Sequence, residues 1–311
     1  MKACQLALTL KDKFLSKCAG SLEIIAVRSI LDMQNNYKIA IYLVILIIFL
    51  GFAADFYERE GTLSYEGGTY TGEIKWFEPH GQGTWVHPDG DRYEGQWKEG
   101  KRHGHGIYKS ADGLHYEGEF EDNLMHGRGI VTRASGLKYE GEFKEGLAHG
   151  YGKTIFPNGE TYEGEYQEGR RHGEGTFIDA AGNKYEGEFK DDLFHGEGRL
   201  LDAGGEKYEG EFKEDRFHGQ GVYTSPEGLH YEGEFKEGMF HGQGKVTYPS
   251  GASYEGEWKN DRFHGEGTYV SPDDIKYEGE FKNGLFHGEG VMTFPDGSQL
   301  EGTWEEHEYV G

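Results

Sequence analysis

Ten tyrosines stand 23 residues apart without one insertion: Tyr70, Tyr93, Tyr116, Tyr139, Tyr162, Tyr185, Tyr208, Tyr231, Tyr254 and Tyr277. So strict a period confines the chain to a repeat architecture, in which each unit buries its apolar face against its neighbours. Each Tyr opens a block such as YEGEFKEGMFHGQGKVTYPSGAS (Tyr231–Ser253), and an incomplete eleventh, LEGTWEEHEYVG, begins at Leu300. The ten complete blocks fill residues 70–299.

Inside a block the side chains alternate with period two. Tyr231, Gly233 and Phe235 fall on one side, and Glu232, Glu234 and Lys236 on the other, which predicts a strand with one aromatic face. A second strand runs from His241 through Gly242, Gly244 and Val246, and Pro249-Ser250-Gly251 supplies the turn before the next Tyr. Each block is thus one hairpin plus a turn. Glycine weakens a strand unless its gap is used, and here a ring from a neighbouring strand can lie over the bare backbone. Tyr231, Gly233, Phe235, His241, Gly242 and Gly244 are therefore the structural positions of the block, with Gly95, Gly118 and Gly141 as packing sites elsewhere. The predicted fold is all-β: an elongated single-layer antiparallel hairpin array of about 20 strands, roughly 90–100 Å long at ~4.8 Å per strand.

Composition agrees with aromatic rings supplying the buried surface. The 311 residues include 52 Gly and only 7 Pro, with 21 Tyr and 19 Phe. Residues 1–56 hold six basic and four acidic side chains, leaving 26 basic against 52 acidic in the remainder. Such a surface repels phosphate, so nucleic acid is excluded as a partner and anionic-lipid binding by the array is not expected. A protein with a basic or apolar surface fits better. The only cysteines, Cys4 and Cys18, precede the array, which therefore has no thiol for a disulfide, a metal or a nucleophile.

From Ile39 to Ala54 sixteen residues carry no charge, and with its flanks the segment 37–56 approaches the ~20 residues that a bilayer requires. It is expected to be a transmembrane helix of a single-pass membrane protein. The alternative is the apolar core of a signal peptide that starts at Met33 and ends at the small-x-small pattern Gly51-Phe52-Ala53; cleavage of residues 33–53 would make the array a secreted one. Arg28 and Lys38 before the segment against Arg59 after it leave the topology open. Residues 1–36 suggest no chemistry. Residues 57–69 are expected to cap one end of the array, and residues 300–311, with Trp304, Glu305, Glu306 and Glu308, the other.

A histidine precedes Gly-x-Gly in all ten blocks, from His80 to His287. Catalysis requires one asymmetric constellation, and a ladder of like sites offers none, so a hydrogen-bonding structural role is expected, with no catalytic, metal or cofactor site. No Gly-x-Gly is followed by the Gly-Lys-Ser/Thr of a phosphate loop. Glu232 and Glu234, repeated on the polar side, predict a solvated charged face. What breaks the symmetry is the residue before the histidine: Pro79, Arg102, Met125, Ala148 and Arg171, then Phe194, Phe217, Phe240, Phe263 and Phe286. Five phenylalanines in a row beside a turn are either mutual packing along one edge or an apolar strip for a partner, and they are the candidate partner-binding residues.

YEGEF followed by HGxG and a PDG-like turn at a 23-residue period resembles the MORN (membrane occupation and recognition nexus) family, over about three-quarters of the chain. The resemblance implies a single-layer hairpin array used for protein binding and subcellular placement, often near membranes or cytoskeleton, with lipid binding proposed for several members. This array differs in being strongly acidic and in following an apolar segment. Some relatives append kinase or methyltransferase domains, whereas eleven residues follow Leu300 here, so an enzyme is not expected. The expected function is a non-catalytic, membrane-anchored scaffold that binds partner proteins. The alternative is a membrane tether whose array contacts lipid or a second membrane; a homo-oligomer is left open.

Overall fold

The structure is a computed structural model that describes Ile41, Leu43, Val44, Leu46 and Ile47, all helical, and Glu58–Gly311. The latter form 23 strands, numbered β1 (Glu58–Tyr65) to β23 (Glu308–Tyr309), and each pairs antiparallel with the next in sequence. The result is one open sheet. At ~4.8 Å between strands it runs roughly 105 Å from edge to edge.

The hairpin of β16 (His230–Lys236) and β17 (Met239–Thr247) shows how the block folds. Its turn is Glu237-Gly238, with φ of +53° and +85°, the two-residue left-handed turn whose twist matches that of paired strands. Gly233 pairs with Gly244 but Glu234 pairs with His241, so Gly242 and Gln243 bulge out of the ladder. Gly242 has φ +56°, a conformation open to glycine and costly for other residues.

The tip of each hairpin is tied back to the hairpin before it. Asp261 N–H donates to the Phe240 carbonyl at 3.1 Å, and the Asp261 carboxylate accepts from Phe240 N–H at 2.8 Å. Phe194 N–H reaches Asp215 in the same way, and Arg171 N–H reaches Asp192. A link of this kind joins residues 21 apart, so an insertion in one block would break it. That is a physical reason for the unvarying period.

The two ends differ. Of residues 57–69, the expected cap, Glu58–Tyr65 form β1, which pairs along its whole length with β2 (Gly68–Lys75) through the turn Glu66-Gly67. At the far end the chain folds back on β22 (Gln299–Glu305), with Val310 N–H donating to the Thr303 carbonyl and Thr303 N–H to that of Gly311, both at 2.9 Å. Trp304 is buried there. Among the described residues no helix is long and apolar enough to cross a membrane. Residues 1–36, and all of 37–56 but the five helical residues named above, lie outside the described residues, and so does the signal-peptide reading of 33–53 apart from those five.

Candidate partner-binding face

The face is built from the tyrosines upward. Each repeat tyrosine is buried, at 0 to 6% exposure, although the sheet is only one layer thick. The glycines make this burial possible. A Cβ on Gly141 would lie 2.5 Å from the Gly152 Cα and 2.6 Å from the Tyr139 hydroxyl, so the ring of Tyr139 lies flat over a pair of glycines on adjacent strands. Ring edges then meet ring faces in an unbroken zigzag from Tyr70 to Trp304; Tyr231, for example, stands 5.0 Å from Phe235 and 5.3 Å from Trp258, at 85° and 88°. Edge-to-face pairs of this geometry stabilise beyond the area they bury.

The hydroxyl end of each tyrosine is also fixed. Tyr231 Oη donates to the Glu234 carbonyl at 2.9 Å, and the same bond recurs in all ten blocks at 2.7 to 3.2 Å. Burial pushes the phenol pKa up in every one, to about 12 in Tyr70 and Tyr277.

Two positions show detail that their sequence reading does not specify. The bulge turns the His241 carbonyl towards Tyr231 Oη at 3.4 Å, while Nδ1 of His103, His172, His241 and His264 is buried without a hydrogen-bond partner. Glu234 is more than part of a solvated face, because its Oε1 accepts from the bulged Gln243 N–H at 3.0 Å. Glu73, Gln96, Glu119, Glu188 and Glu211 do the same for their own bulges. Alternation alone puts this glutamate in solvent; only the register of the next strand shows the amide that it caps.

Over the tyrosines lies the position that breaks the symmetry. Phe194, Phe217, Phe240, Phe263 and Phe286 stack face to face on Tyr185, Tyr208, Tyr231, Tyr254 and Tyr277 at centroid distances of 3.8 to 4.0 Å and angles of 8 to 17°. All five keep part of their surface in solvent. In the N-terminal half Arg102 and Arg171 take the same place, with their guanidinium groups 5.9 and 5.8 Å from the rings of Tyr93 and Tyr162. Tyr93 under Arg102, Tyr116 under Met125 and Tyr162 under Arg171 are as fully buried as any tyrosine under Phe, and only Tyr139, over which Ala148 stands, rises to 6%. Burying the core therefore does not require phenylalanine.

Among the described residues no group of His, Cys, Asp and Glu is arranged to hold a metal ion. The geometry defines an open, single-layer array of antiparallel hairpins whose similar core blocks present a variable outer row. Residues 70–92, 93–115, 116–138, 139–161, 162–184, 185–207, 208–230, 231–253, 254–275 and 277–299 each match the MORN repeat model, and the chain belongs to the MORN repeat family. No curated protein sequence matches the chain. Among solved structures, the TCP domain of SAS-4 (dCPAP) of Drosophila melanogaster, in complex with a proline-rich motif of Ana2 (dSTIL), is 9% identical at a TM-score of 0.26, covering 57% of this chain and 84% of that one. Virginiamycin B lyase from Staphylococcus aureus is 11% identical at a TM-score of 0.14, covering 81% of this chain and 85% of that one. Likeness this low carries no argument.

Proposed function

We propose that the chain is a non-catalytic, membrane-anchored scaffold that holds a partner protein against the row Phe194, Phe217, Phe240, Phe263 and Phe286. One observation carries the reading: the tyrosine core is buried equally well under Arg102, Met125 and Arg171, so the five phenylalanines supply apolar surface that the fold does not demand. A continuous row of partly exposed rings is the feature that recruits an amphipathic helix or extended segment through apolar anchors, and the acidic remainder favours a partner with basic flanks. Anchorage comes from the segment 37–56, read from its sequence.

The test places a photo-crosslinking amino acid at Phe240, and separately at Glu232 on the opposite face, in the full chain in its native membrane. A discrete protein adduct from position 240 and none from position 232 is the expected outcome. Adducts of equal yield from both faces, or none from 240, would contradict the reading.

A further inference from the structure

The five phenylalanines offer more than apolar area, because the fold fixes both how each ring lies and how far it stands from the next. The ring of Tyr231 lies over Gly233 and Gly244, and Phe240 stacks on it at 3.8 Å and 8°. What Phe240 keeps in solvent is therefore the flat outer face of its ring. Phe194, Phe217, Phe263 and Phe286 are stacked in the same way. Between them the edge-on rings of Phe212, Phe235, Trp258 and Phe281 are buried, so the row is a series of separate flat faces.

Successive faces lie two strands apart, or ~9.6 Å. That spacing selects among the regular conformations of a partner segment. A polyproline II helix turns once in three residues and ~9.3 Å, so every third side chain meets a ring, and the mismatch grows to only ~1 Å from the first phenylalanine to the fifth. On an α-helix the same face recurs after seven residues and ~10.5 Å, and the drift reaches ~4 Å over the same row. A strand advances ~10 Å in three residues but turns every third side chain to its other side. Proline also suits the chemistry: its ring packs on aromatic faces, and the polyproline II backbone stays solvated, so nothing polar is stranded against the rings. Tyr223 stands 6.4 Å from Phe217 and 6.1 Å from Phe240, and Tyr269 stands 6.3 Å from Phe263 and 6.1 Å from Phe286. Their phenols can donate to carbonyls of such a segment. On that side of the row the turns 202–206, 225–229, 271–275 and 294–298 hold Asp202, Glu206, Glu227, Asp273, Asp274 and Asp296 and no Lys or Arg, which complements basic residues between the prolines.

We infer that the phenylalanine row binds a polyproline II segment of a partner protein, with proline at every third residue and Lys or Arg between. The inference rests on the scaffold reading above and adds to it the conformation and chemistry of the segment that is held.

Fluorescence anisotropy with the full chain and labelled peptides at physiological salt tests it. The probes are five repeats of Pro-Pro-Lys, five repeats of Pro-Pro-Ser-Lys, which keep the prolines and the charge but lengthen the period to four, and an amphipathic helix of the same charge with leucines at heptad spacing. The period-three peptide is expected to bind about tenfold more tightly than either of the others. Phe240→Ala, which puts over Tyr231 the side chain that Ala148 puts over Tyr139, is expected to weaken that binding by a similar factor. No binding of the period-three peptide, a clearly smaller preference for it, or binding unchanged by Phe240→Ala would overturn the inference. The photo-crosslinker at Phe240 tells this failure from failure of the scaffold reading. An adduct at 240 without preference for the period-three peptide leaves a scaffold for a segment of another conformation, whereas neither adduct nor peptide binding overturns both.

Discussion

The two halves of the array share one core and differ in what lies over it. From repeat to repeat Tyr, Gly and the edge-on ring of the zigzag keep the same places, whereas the outer position is Pro, Arg, Met or Ala in one half and Phe throughout the other. Arg171 and Phe194, in adjacent blocks, cover Tyr162 and Tyr185 to the same 0% exposure. A position that accepts a guanidinium as well as a phenyl ring does not need phenylalanine to keep its tyrosine buried. The run of five phenylalanines on one half is what the proposed binding strip rests on.

If the core is common, damage to it should not respect the boundary between the halves. Alkaline pH provides the largest such effect. A phenol whose pKa is raised in the folded state contributes stability that is complete below its unfolded value of about 10 and is lost as pH rises through about 12. Circular dichroism should hold constant to about pH 10 and then collapse for the whole array, in step with tyrosinate absorbance; loss confined to one half would break the comparison. Next in size, Gly141→Val and Gly233→Val should each destabilise their own hairpins by about 3 kcal/mol or more, since either Cβ meets backbone of the paired strand. Hydrogen exchange should show the loss spreading to neighbours and fading beyond, because each hairpin contacts only those beside it.

Smaller effects sharpen the contrast at the outer position. Ala148→Phe should stabilise by about 0.5–1.5 kcal/mol, by giving Tyr139 the stacked ring that it lacks, and thermal unfolding would register the gain. Phe240→Arg should cost no more than about 1 kcal/mol, because Arg102 and Arg171 show that a guanidinium covers the same ring.

Much of this was legible in the sequence. The strict 23-residue period gave the array, alternation gave the aromatic face, and Tyr231, Gly233, Phe235 and Gly244 fell where the pattern placed them. Less legible were features that depend on which amide of another strand faces a side chain. The bulge at Gly242 brings the Gln243 N–H to Glu234, and the tip of the next hairpin brings Asp261 to Phe240; neither distance is encoded in local alternation. That the expected cap includes an edge strand, β1, was not legible for a related reason. Its residues, EREGTLSY, lack the repeat signature, and only their pairing with β2 shows that they continue the sheet.

The account stands on the claim that the phenylalanine row serves binding and not folding. Its most direct test is the triple variant Phe217→Arg, Phe240→Arg and Phe263→Arg, measured for thermal unfolding and for the adduct formed through a photo-crosslinker at Phe194. Arginine keeps each tyrosine covered while replacing the apolar outer surface with charge. The predicted result is an array that melts within a few degrees of the wild type and no longer forms the adduct. An array that fails to fold, or one that folds and still forms the adduct, would contradict the claim.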